Sequence, residues 1–217
     1  MKTSLSTTLL ILLFLVSACQ KSGSGSAEPP VLIPTIAKGA DVSWVTQMES
    51  AGIKFYNSAG TQTECMQLLK SLGMNSIRLR VWVNPASGWN NAADVVAKAN
   101  RAKNLGMKLM IDFHYSDTWA DPGNQAKPVA WSAQDVTALQ TSVYNHTLGV
   151  MNDLKANGIS PEWVQVGNET NDGMLWPEGK ASTNMANYAK FFIAGYNAVK
   201  AASPASKVMV HLSNGYD

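Results

Sequence analysis

Three times in this chain a helical stretch runs into a glycine and is followed within a few residues by a short apolar run. Leu72-Gly73-Met74, Leu105-Gly106-Met107 and Ala156-Asn157-Gly158 are the three junctions. A glycine just past a helix adopts the left-handed conformation that closes it. Repetition of the helix, glycine, strand unit predicts an α/β fold with a parallel sheet. Five apolar runs read as strands, at 36–42, 76–83, 107–113, 163–166 and 208–212. Between them, residues 63–72, 92–105, 133–157 and 184–202 read as helices.

An open doubly wound sheet and a (β/α)8 barrel both fit this spacing. Gly39-Ala40-Asp41-Val42-Ser43 after the first strand is not the G-x-G-x-x-G phosphate loop of a dinucleotide fold. Polar and aromatic residues instead gather after each strand: Asp41 and Ser43, Arg80 and Trp82, Asp112 to Trp119, Asn168 and Glu169, then Asn214. That favours a barrel with a site on its C-terminal face. The whole chain has 217 residues, whereas a complete barrel typically needs about 250. About the first five βα units are therefore expected, with residues 36–217 forming the N-terminal part of the barrel domain.

Composition narrows the function. With 46% hydrophobic residues the chain can bury a sizeable core, which excludes disorder for most of it. Seventeen Lys and Arg against fifteen Asp and Glu leave a net charge of +2, no footprint for nucleic acid. Two cysteines, Cys19 and Cys65, make neither a disulfide framework nor a Cys-based metal site. Cys65 reads as a small buried residue.

The leader carries its own signal. Residues 1–18 place one lysine before an apolar run at 9–16 and small residues before Cys19, the pattern of a signal peptide too short to persist as a membrane span. Val16-Ser17-Ala18-Cys19 resembles a bacterial lipobox, and with Gln20 next this predicts a lipid anchor on Cys19 at the outer membrane or cell surface. An ordinary secretory signal is the competing reading. Residues 19–35, rich in Ser, Gly and Pro, read as a flexible tether.

The candidate chemistry lies at strand ends. Trp163-Val164-Gln165-Val166 runs into Asn168-Glu169, which places a carboxyl group in the barrel mouth as a candidate general acid, or else forms an N-cap for the next helix. After the third strand, Asp112-Phe113-His114-Tyr115-Ser116-Asp117-Thr118-Trp119-Ala120-Asp121-Pro122-Gly123 packs carboxylates, a histidine and aromatics together. Aromatic faces beside planar polar groups suit a carbohydrate cleft. A metal site built from Asp112, His114, Asp117 and Asp121 competes with that reading, as does a hydrogen-bonded loop around a buried Trp119. Arg78 and Arg80 alternate on the second strand and so share its inner face, Arg78 with the stronger case for a structural ion pair. His211 either faces the site or is a satisfied core histidine.

On these residues the chain resembles glycoside hydrolase family 53, the endo-β-1,4-galactanases that cut galactan side chains of pectin. The matching stretches are Gly39 to Ser43, Arg78 to Pro85, Asp112 to Gly123, Val164 to Glu169 and His211 to Gly215. The resemblance implies a (β/α)8 barrel of the retaining glycosidase clan with Glu169 as acid/base. It also implies that Asn168, Arg80, His114 and His211 line the subsite at the cleaved bond. Asp41, Asp117 and Trp119 complete the expected substrate contacts, with Trp82, Trp89 and Trp176 as further stacking candidates. The clan carries its nucleophilic glutamate after the seventh strand, and no glutamate here substitutes for it, so the 217-residue chain alone is expected to be inactive. No metal or cofactor is expected in this chain, a structural calcium site of the family lying in a later loop. The expected partner is β-1,4-galactan, bound by a monomer that meets the membrane only through its N-terminal lipid. Another retaining β-glycanase of the clan, or a surface glycan-binding lipoprotein, are the alternatives.

Overall fold

A computed structural model of the chain describes residues 36–214. The leader, the tether and Cys19 lie outside the described residues. Five strands, β1 (Gly39–Asp41), β2 (Ser76–Val81), β3 (Lys108–Phe113), β4 (Trp163–Val166) and β5 (Lys207–Met209), form one sheet. Their spatial order follows their chain order, and every neighbouring pair is parallel. A doubly wound sheet reverses its order at a switch point, and this one does not. Right-handed crossovers that never reverse place all helices on one face, which is the arrangement of a barrel wall.

The connecting helices are α1 (Val45–Ser50), α2 (Cys65–Ser71), α3 (Ala92–Asn104), α4 (Val136–Ala156) and α5 (Ala181–Ala202). Asn91 and Asp135 start α3 and α4 by accepting the backbone N–H groups of Asp94 and Ala138 at 2.9 and 2.8 Å. Gly73, Gly106 and Gly158 follow α2, α3 and α4 at φ of +91°, +66° and +65°, as the junction pattern predicts.

Alternation divides each strand between two environments. Ile77, Leu79, Val81, Leu109, Ile111, Phe113, Val164 and Val166 face the helices and are buried. Against them pack Val95, Ala99 and Ala102 of α3, Leu139, Val143, Val150 and Leu154 of α4, and Phe191, Ala198 and Ala202 of α5. Their three- and four-residue spacing keeps one stripe of each helix on the sheet. The other strand face carries the polar residues, and register sorts them into levels. Asp41 pairs with Arg78 on one level; Arg80, Asp112, Gln165 and Met209 share the next one towards the strand ends.

Some boundaries differ from the sequence expectation. The run at 36–42 yields a three-residue strand, and the short α1 that follows is too brief to show a helical period. The fifth strand ends at Met209 rather than residue 212. Beyond Val166 the neighbouring chain turns at Gly167, φ +90°, so residues 210–212 have no strand left to pair with. Instead Thr170 donates its N–H to the carbonyl of His211 at 2.8 Å. Among the described residues no helix is long and apolar enough to cross a membrane.

Candidate active site

The C-terminal ends of the strands converge on one guanidinium. Arg78 donates from Nη1 to Asp41 Oδ2 at 2.6 Å, from Nη2 to Asn168 Oδ1 at 2.8 Å, and from Nε to Gln165 Oε1 at 3.3 Å. Its Nη2 also lies 2.7 Å from Asp112 Oδ2. One side chain thus ties β1, β3 and β4 together. Arg80, on the same strand face, is placed differently. Arg78 sits one level deeper, and its length carries the charge up to Asn168, whereas Arg80 ends under aromatic rings. The guanidinium of Arg80 lies 4.0 Å from the ring centre of Trp119, 4.6 Å from that of Trp82 and 5.9 Å from that of Trp44. Its Nε and Nη2 have no hydrogen-bond partner among the described residues, and desolvation pulls its pKa down.

Desolvation pushes the Asp41 carboxyl up, but hydrogen bonds from Ser43 and the charge of Arg78 outweigh it and hold the group below the usual carboxylate range. Asp112 is fully buried and accepts from Arg78, from Gln165 Nε2 at 2.9 Å and from His114 Nε2 at 2.9 Å. His114 Nδ1 in turn accepts the N–H of Ala120 at 3.0 Å. An accepting Nδ1 requires the proton on Nε2, so the imidazole is a neutral donor locked onto Asp112. Asn168 donates from Nδ2 to the Ala120 carbonyl at 2.7 Å, which fixes its amide; among the described residues its second amide hydrogen has no acceptor.

Glu169 follows at φ +49°. Its backbone N–H donates to His211 Nδ1 at 3.1 Å. His211 lies past the end of β5, half-buried, and desolvation followed by the nearby charge of Arg78 pulls its pKa down. Its Nδ1 also lies 3.1 Å from Asn168 Oδ1. Glu49 and Glu64 pair with Arg101, Glu162 with Lys207 and Glu178 with Lys127. Among the described residues Glu169 is the one glutamate whose carboxylate makes no hydrogen bond or ion pair.

Asn168, Glu169, His114, His211 and Asp41 are thus brought together, with Trp119 above them. Asp117 is placed otherwise. Its Oδ1 accepts the N–H of Asn84 and its Oδ2 that of Val129, both at 2.9 Å, so it braces two loops. Trp176 donates its indole N–H to the Asp172 carbonyl and carries Lys180 over its ring. Among the described residues no three His, Cys, Asp or Glu side chains gather to hold a metal.

Several contributors escape a sequence reading. Trp44, half-exposed, stands 6.3 Å from Trp119 and extends the aromatic wall. Lys98 is fully buried on α3 and donates to the Ser43 carbonyl, Asn90 Oδ1 and Asp94 Oδ2 at 2.6, 2.8 and 2.8 Å. Ser43 Oγ then accepts the N–H of Arg80. The only sequence signal for Lys98 is the Asp94 four residues before it. Gln125, buried in the loop after β3, donates to the carbonyls of Asn168 and Glu169.

Residues 37–217 match the family described as glycosyl hydrolase family 53. The chain belongs to glycosyl hydrolase family 53. An arabinogalactan endo-β-1,4-galactanase of Thermothelomyces thermophilus is 42% identical over 182 residues, covering 83% of this chain and 54% of that protein. Among solved structures, one of fungal β-1,4-galactanases superposes with a TM-score of 0.79 at 42% identity, covering 82% of this chain and 54% of the other. The Ignisphaera aggregans GH53 catalytic domain gives 0.78 at 34%, covering 83% and 53%. The chain therefore spans about half the length of the family-53 relatives it matches. Its described residues form four βα units and the fifth strand of the family's (β/α)8 barrel.

Proposed function

We propose that this family-53 chain carries the acid/base half of an endo-acting, retaining β-1,4-galactanase. The observation that carries the reading is the free carboxyl group of Glu169, at the end of β4 beside an Asn168 locked by Arg78 and Ala120. A group that must give up and regain a proton needs an oxygen unclaimed by other donors, and Glu169 alone among the described glutamates has it. The fungal relatives' names support galactan as the substrate.

In the first step Glu169, protonated, gives its proton to the glycosidic oxygen while a second carboxylate attacks the anomeric carbon. The bond to the leaving sugar breaks, and a glycosyl ester forms. In the second step water attacks that carbon, Glu169 takes the water's proton, and the ester carboxylate leaves. The two carboxyl groups must stand about 5 to 5.5 Å apart. Asp41 and Asp112 are both held by Arg78, so the nucleophile is assigned to no described residue. In this reading the second amide hydrogen of Asn168 meets the sugar 2-hydroxyl, and Trp119 with Trp44 offers stacking faces. A polymeric substrate fits an exported enzyme, with Cys19 as the lipid anchor.

The test is reducing-sugar release from linear β-1,4-galactan by the full-length gene product, beside its Glu169→Gln variant and with mannan and β-glucan as controls. Release from galactan alone, lost in the variant, is the expected result. Turnover of mannan or glucan in its place, or an active E169Q, would overturn the assignment.

A further inference from the structure

Among the described residues no side chain holds the Glu169 carboxylate, so its backbone sets where it points. That backbone is in the left-handed region, which residues with a Cβ disfavour. Something must hold it there. On one side His211 Nδ1 accepts the Glu169 N–H. On the other, Gln125 Nε2 donates to the carbonyl of Asn168 at 2.8 Å and to that of Glu169 at 3.2 Å. The same nitrogen reaches the Asp121 carbonyl at 3.2 Å, which roots it in its own loop. Gln125 is 2% exposed, so water does not compete for these carbonyls. Its own carbonyl accepts the N–H of Trp176 at 2.8 Å, tying the β3 loop to the segment after β4.

We propose that Gln125 is a positioning residue for the general acid: it fixes the peptides on either side of the Glu169 Cα and so sets the direction of the carboxyl group. The proposal rests on the reading of Glu169 above. Removing the Nε2 donor frees both carbonyls, and the peptide relaxes towards right-handed or extended backbone. The carboxyl group then swings away from the glycosidic oxygen.

Leaving-group dependence separates this from a merely structural role. Galactan needs protonation of a poor leaving group, whereas a 2,4-dinitrophenyl β-galactobioside departs without it, and kcat/KM reports the step up to glycosyl-ester formation. In the full-length gene product, Gln125→Met is expected to lower kcat/KM on galactan about 10- to 100-fold. It should leave kcat/KM on the dinitrophenyl substrate within about twofold, since no acid has to be aimed there. Gln125→Asn, which keeps the amide on a shorter stem, should show the same split more weakly, and it carries the test if Q125M does not fold. Equal losses on both substrates, or no loss on galactan, would overturn the role of Gln125. Glu169→Gln is run alongside: if it loses both substrates equally, or if the parent does not cleave galactan, the reading of Glu169 falls and this inference with it.

Discussion

Arg78 meets Asn168 with its Nη2 2.8 Å from the amide oxygen, and that contact turns the amide nitrogen to the Ala120 carbonyl. The same guanidinium reaches Asp41 and Asp112, so one side chain both orients Asn168 and holds two carboxylates.

Replacing Arg78 by Ala is expected to destabilise the protein by about 3 to 5 kcal/mol, because Asp112 stays buried with its main counter-charge gone. Arg78→Lys keeps the charge but not the fork, and is expected to fold yet lose at least tenfold in kcat/KM on galactan. Urea unfolding of both variants and galactan kinetics of the second check this. An unchanged midpoint for R78A would contradict it.

The acid limb of stability is expected to come in part from His146. Burial among Phe113, Tyr115 and Trp131 pulls its pKa from 6.5 to about 4, against a small opposing pull from Asp117. A histidine depressed in the folded state binds its proton more readily when unfolded. Its contribution is present above pH 6.5 and is lost as pH falls towards 4, by about 3 kcal/mol in all. Urea midpoints measured between pH 7 and 4 should fall less steeply in His146→Phe, which keeps the ring contacts.

At Gly195 two effects oppose each other. Alanine would favour helix α5 by about 1 kcal/mol. Its Cβ would stand 2.6 Å from Val166 Cγ1 and 2.7 Å from the Tyr115 hydroxyl, which Thr147 holds in place. Overpacking at such a contact costs about 1 to 3 kcal/mol, so Gly195→Ala is expected to lower Tm. A calorimetric scan showing a higher Tm would refute the close approach of α5 to β4.

Trp119→Ala is expected to raise KM for galactan about fivefold to tenfold, the equivalent of roughly 1 kcal/mol of stacking, with kcat reduced less. Initial rates over a range of galactan concentrations decide it. A fall in kcat at constant KM would mean that the ring shapes the acid site through His114, 5.6 Å away, rather than holding sugar.

The barrel order was legible because glycine-capped helices and apolar runs repeat, and local chemistry enforces both. Asn168, Glu169, His114 and Trp119 were legible because they cluster just past strands. Arg78 against Arg80 was not, since alternation puts both on one face and only side-chain reach separates them. That the two oxygens of Asp117 hold Asn84 and Val129 was not legible either, since both donors are backbone groups of other loops. Lys98 and Gln125 were invisible for a shared reason: each acts on backbone carbonyls of segments distant in the chain, and a carbonyl carries no sequence signature.

The left-handed backbone at Glu169 sets stability against the presence of a carboxyl group at the end of β4. Glycine there would relieve about 1 kcal/mol of strain and remove that carboxyl group, so the side chain is carried at a cost to the fold.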